Sequence, residues 1–205
     1  MKDPRVNDLH GFLRSRRSIR KFDHRQVPQD VIQRILETAV HAPSAFNRQP
    51  WRFVVVTRAE VKSRLAESVV EDFRRDLKKH KLGDQEIANR IDRTRQRILE
   101  TPALIILCRL GRDHKHAIRD KRKRVEMVMD IQSVALAGMQ LLLAAHAEGL
   151  GAVWTGGPLF SPEVTKTALD FPSDWQPQAM ILMGYPAEEP GPKAVKELSE
   201  VARMS

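Results

Sequence analysis

A single cysteine in 205 residues has nothing to pair with, so no intrachain disulfide can staple this chain. Its core must hold it alone. That residue, Cys108, lies inside the apolar run Ala103 to Leu110 (ALIILCRL) and reads as a buried strand residue, not a nucleophile. Aromatic residues make up 5%, and no zinc-finger, RNP-type or GXXG signature accompanies the basic segments. The net charge of +9 favours anionic partners in general, but nucleic acid is not expected. No eighteen uninterrupted apolar residues occur, and the opening MKDPRVNDLH has no apolar signal-like stretch, so we expect no membrane span and a cytoplasmic protein. G-x-S-x-G, P-loop and H-E-x-x-H motifs are absent, which leaves hydrolysis without a nucleophile or a metal. His114 and His116 beside Asp113 fall short of zinc spacing, so no metal site is expected.

At this length we expect one domain over residues 1–205. The most informative stretch is Ala42 to Phe53, APSAFNRQPWRF. Before it, Val31, Ile32, Ile35, Leu36, Ala39 and Val40 recur at helical spacing until Pro43 stops them, and after it Trp51 to Thr57 reads as a strand. Ser44, Asn47 and Gln49 give the intervening loop hydroxyl and amide groups, in either a binding loop or an ordinary capped connection. Leu9, Phe12 and Leu13 predict a short helix running into Arg16, Arg17, Ser18, Ile19 and Arg20. Three guanidinium groups and a hydroxyl there form either a phosphate site or a surface charge cluster.

Pro28 suits the first turn of the next helix. Thr57 and Glu60 have capping-box spacing for a helix to about Lys81, and Gly83 separates it from a charged helix over Asp84 to about Glu100. This hairpin reads as a peripheral excursion, covering a site or merely solvated. The basic run Lys115 to Arg124 reads as a solvated connection that could steer anions. A core helix, apolar on most sides, is predicted from about Arg124 to Glu148, with Gly149 as its C-cap. Gly149-Leu150-Gly151 imitates a dinucleotide fingerprint, but Trp154 occupies the third glycine position and the segment follows a helix, which excludes that site. Thr155, Gly156 and Gly157 remain of interest, because paired glycines let backbone N–H groups approach a flat ligand. Ser161-Pro162 predicts a helix start, Ala179 to Gly184 a strand, and the Pro-rich, charged tail reads as frayed or tied to another chain.

Four segments in order, RRSIR, APSAFNRQPWRF, GLGAVWTGG and GYPAEEPGPK, resemble the FMN-dependent nitroreductase family. The resemblance implies an α+β fold, a mixed and largely antiparallel sheet flanked by helices in an intertwined homodimer. It also implies an oxidoreductase passing electrons from NAD(P)H through FMN to a conjugated acceptor, either a nitroaromatic, a quinone or an enol-type double bond. By position, Arg16, Arg17, Ser18 and Lys193 would hold the phosphate and Arg20 would face the flavin pyrimidine. Pro43, Ser44, Asn47 and Gln49 would shape the pocket, the first two from the partner, while Thr155, Gly156 and Gly157 would offer backbone donors near N5. The family often has a basic residue two positions after this lysine, where this chain has Val195 followed by Lys196. No catalytic acid or base is identified.

Residues Leu65 to Gly184 further resemble the flavin reductase domain of deazaflavin coenzyme biosynthesis proteins, without the ligase domain that accompanies it. That likeness suggests an anionic acceptor such as a dehydro-deazaflavin precursor. Flavin-fragmenting and reductively dehalogenating relatives share the same motifs, and a non-catalytic flavin-binding module is the remaining alternative.

Overall fold

The computed structural model describes residues 4–80, 82–111 and 120–204. His114, His116, Asp113 and the first part of the basic run lie outside them. Four strands, β1 (Trp51–Val56), β2 (Ala103–Leu110), β3 (Gly151–Thr155) and β4 (Trp175–Gly184), form one sheet in the order β1-β2-β4-β3. Every pairing is antiparallel, with a register shift between Leu107 and Cys108. An isolated parallel bridge joins Ser18 to Ala152.

Alternation along the strands sends side chains to two separate cores. Ile105, Ile181 and Met183 face α2 (Gln29–Ala39) and the long α5 (Lys121–Ala147). Leu104, Ile106, Leu182 and Cys108 face Leu65 and Ala66 of α3 (Ala59–Lys79) and Ile98 of α4 (Asp84–Glu100). The hairpin is thus not peripheral: it forms the second layer over the sheet and knits its outer part with Val70, Leu77, Ile87 and Ile91. Its high charge hid this, because a few apolar residues at helical spacing suffice to make a buried stripe. Cys108 is fully buried, and burial pushes its thiol pKa up to about 12.

The capping details differ from the sequence expectation. Arg58, not Thr57, precedes α3, with no side-chain cap. Pro28 sits one residue before α2. Ser161 precedes α7 (Pro162–Leu169) but makes no cap bond, because its hydroxyl instead donates to Asp72 Oδ2 at 2.5 Å. The short α6 (Gly157–Phe160) and strand β3 had no signal of their own. Lys121 to Arg124 are helical, since the Asp120 carboxylate accepts from the backbone N–H groups of Arg122 and Lys123 and starts α5 earlier than expected.

Among the described residues, α5 is the one helix long and apolar enough to cross a membrane. Its Val134, Ala137, Leu141 and Ala145 are buried against the fold, as a core helix requires. Val125, Val128, Ile131, Leu136 and Met139 on the same helix are exposed.

Gly149 ends α5 with φ +73°. Its N–H donates to His146 O at 3.1 Å and that of Leu150 to Ala145 O at 2.9 Å, the paired bonds of a left-handed helix terminus. Gly151 serves another purpose: a Cβ there would lie 2.7 Å from Ile19 Cβ. The two glycines that imitate a dinucleotide motif are a helix stop and a close-packing position.

Candidate functional site

Ile19 anchors the arginine segment. It is buried, and its N–H donates to Ala152 O at 3.2 Å, which lays Arg16 to Arg20 along the start of β3. The last turn of α1 (Pro4–Ser15) reaches α5, where Ser15 Oγ is 2.8 Å from His146 Nε2 and the His146 ring stacks on Phe12 at 4.8 Å. Burial, and then the nearby Arg16 charge, lowers the His146 pKa.

The beginning of the tail pairs with its own chain, contrary to expectation. Asp23 N–H donates to Tyr185 O at 2.9 Å and Ala187 N–H to Lys21 O at 3.0 Å. Glu188 Oε1 accepts from the N–H groups of Arg20 at 2.6 Å and Lys21 at 3.2 Å. The Arg20 N–H is the main cause that holds the Glu188 carboxyl below its usual range. From Glu189 onward the described tail is exposed, including α8 (Leu198–Val201).

This strap closes a cavity of about 480 Å³ that brings Arg16, Arg17, Ser18 and Arg20 together with Lys193. Four cations from opposite ends of the chain thus meet around one space, with Glu188 fixing the backbone at its rim. Such a cluster suits a phosphoryl group, which guanidinium forks grip in pairs. Thr155, Gly156 and Gly157 lie at the far end of β3, three residues past Ala152, roughly 10 Å along the strand. No atom lies within 4 Å of a Cβ built on Gly157, so that end is open. Thr155 Oγ1 donates to Met180 O at 2.9 Å, so its hydroxyl hydrogen is already committed.

Pro43, Ser44, Asn47 and Gln49 are not part of this group. They precede β1, on the opposite edge of the sheet, where Trp51 pairs with Arg109, whereas Ala152 pairs with Met183 and so with Ala103. Three strand spacings across and six residues along put the two corners roughly 25 Å apart. The loop is nevertheless well defined. Phe46, Asn47 and Gln49 have φ of 53°, 53° and 48°, conformations that cost non-glycine residues about 1 kcal/mol or more each. Gln49 N–H donates to Ser44 Oγ at 3.0 Å, Gln49 Nε2 to Asn47 Oδ1 at 3.1 Å, and Ala45 N–H to Ser133 Oγ of α5 at 3.2 Å. Beside it, Phe46 and Arg48 line a cavity of about 710 Å³ with Lys121 and Arg122. The roles of Glu188, Ser133, His146 and Gly151 are not visible in the sequence, because each acts through a partner more than 80 residues away.

A model of the nitroreductase family matches residues 13–185. The chain belongs to the nitroreductase family. A relative from Methanothermobacter thermautotrophicus, provisionally named NADH dehydrogenase/NAD(P)H nitroreductase, is 31% identical over 90% of this chain and 80% of its own. The 5,6-dimethylbenzimidazole synthase of Rhodospirillum rubrum is 30% identical over 91% of this chain and 86% of its own. In fold, a nitroreductase-like protein from Bacillus cereus superposes with a TM-score of 0.75 at 21% identity, covering 100% of this chain and 98% of that one. The nitroreductase match identifies the chain as an oxidoreductase on the α+β fold that its sequence resembled.

Proposed function

We propose that this nitroreductase-family protein binds FMN, takes electrons from NAD(P)H and passes them to a conjugated, anionic organic acceptor, as a cytoplasmic homodimer. The observation that carries the reading is the meeting of Arg16, Arg17, Arg20 and Lys193 around one cavity that starts beside β3. These residues fit a flavin mononucleotide: Arg16, Arg17, Ser18 and Lys193 would hold its phosphate, and Thr155 and the glycine pair would meet its ring. When bound, FMN supplies the electron-carrying ring. The chain supplies position, and Arg20 supplies a cation for negative charge arising on the ring edge, worth about 3 kcal/mol if it acts like an oxyanion donor.

The partner completes the site. Pro43, Ser44, Asn47 and Gln49 stand roughly 25 Å from their own cation cluster and serve the other protomer, beside the exposed stripe of α5. The tail, with Val195, Leu198, Val201 and Met204 exposed, crosses to the partner. Around the cavity beside the loop Arg48, Lys121 and Arg122 outnumber Asp120 and Glu126, which favours an anionic acceptor, for which a dehydro-deazaflavin precursor is our leading candidate.

The test is purification followed by absorbance, mass analysis of the released cofactor, sedimentation, and NAD(P)H oxidation with such a precursor and with a neutral nitroaromatic at low and high salt. A yellow dimer that oxidises NAD(P)H and prefers the anion at low salt is expected. A flavin-loaded monomer would sink the dimeric site, and salt-independent preference for the nitroaromatic would sink the anionic acceptor. Irreversible bleaching of the flavin during turnover would instead favour a flavin-fragmenting enzyme.

A further inference from the structure

Beneath the α3–α4 hairpin lies a cavity of about 200 Å³, floored by Ile106 and Met180 of the sheet, walled by Val69 and Ile98 of the hairpin, and reaching Thr155 and Gly157. We propose that it receives one apolar ring of the acceptor, and that Arg97 at its rim pairs with an anionic group on that ring. The proposal rests on the flavoenzyme reading only in naming the ligand an acceptor. The size is right for a single ring, since an apolar cavity of about 150 Å³ takes up benzene.

The place of Arg97 at the rim narrows the chemical class. Four arginines of the hairpin pair with carboxylates: Arg74 with Glu71, Arg75 with Asp72, Arg90 with Glu86, and Arg95 with Glu67 through two bonds of 2.9 Å. Arg64 donates to Ala168 O, and Arg93 has no side-chain partner among the described residues but does not line the cavity. Arg97, which lines the cavity, has no side-chain partner among the described residues. A free guanidinium beside an apolar recess suits a flat ring carrying a carboxylate, with the ring out of water and the anion at the rim. Thr155 belongs both to this cavity and to the end of β3 where the flavin ring is proposed to lie, so a ligand seated here meets the electron-carrying end of the site.

The experiment uses 3-phenylpropanoate and neutral benzyl alcohol as probes. Binding is followed by backbone amide shifts of Thr94 and Thr155, on the protein as purified and after flavin removal. Both probes should shift these amides. Arg97→Gln should weaken the carboxylate about twofold to fivefold, the range of one partly exposed ion pair, and leave benzyl alcohol unchanged. Val69→Phe, which fills the recess, should abolish both.

An unchanged carboxylate Kd in Arg97→Gln overturns the proposal, as do shifts confined to Arg16 through Arg20. Arg97 is on the surface, so its variant tests the idea even if Val69→Phe does not fold. Turnover is not read, so a protein that never oxidises NAD(P)H would refute the proposed function and leave the cavity standing. The reverse outcome would separate them equally well.

Discussion

Replacing Gly151 by alanine probes the joint between the arginine segment and the sheet. The added Cβ would meet Ile19 Cβ and Cγ2 at 2.7 Å and Cγ1 at 2.9 Å, well inside van der Waals contact. These are the stem atoms of a β-branched side chain, which cannot swing away within one rotamer. Either β3 shifts or Ile19 leaves its buried position, and with it goes the bond from its N–H to Ala152 O. Overpacking of this kind costs about 1–3 kcal/mol, and a chain of this length loses about 2–4 °C of Tm per kcal/mol. We therefore expect a fall of about 4–8 °C in flavin-free protein, taking about 2 kcal/mol. FMN affinity should fall further, because Arg16 to Arg20 are carried by the same segment. Gly11→Ala, in helix α1 where nothing lies within 4 Å of the new Cβ, should be neutral or stabilising by up to about 1 kcal/mol. Thermal unfolding and flavin fluorescence titration of both variants check this. If Gly151→Ala melts within about 1 °C of wild type and binds FMN equally, the close approach does not control the segment and the reasoning fails.

Arg16→Ala should lose FMN outright, whereas Arg20→Ala should keep weakened binding and lower the flavin reduction potential, so an unchanged potential would remove Arg20 from its proposed role. His146 has a folded pKa below its ordinary 6.5, so the unfolded chain takes up the proton first and stability is lost as pH falls from about 7 through 6.5 toward the folded pKa. Chemical denaturation of His146→Gln should lack that loss, and a phosphate bound at Arg16 should shrink it in wild type by offsetting the arginine charge. Phe46→Gly relieves a left-handed residue worth about 1 kcal/mol, so it should raise monomer stability; because its loop is proposed to serve the other protomer and its ring is exposed, sedimentation should show a weaker dimer.

The periodic elements were legible because their signals are local. Helical spacing located α2 and both hairpin helices, and β-branched runs located β1, β2 and the buried end of β4. The RRSIR and Ala42-to-Phe53 segments stood out because proline, amide and guanidinium groups have strong individual preferences. The tertiary structure alone decided what these segments meet. The bridge from Ser18 to Ala152 and the bonds that tie residues 20–23 to Tyr185, Ala187 and Glu188 bring Arg16 toward Lys193. Only the strand order sends Ser44 and Asn47 to the opposite corner. The strand β3 carried no signal of its own, since its five residues include two exposed or half-buried positions and begin with a glycine whose purpose is to admit Ile19. Contacts across such sequence distances are set by shape and burial between elements, quantities that no single stretch of chain contains.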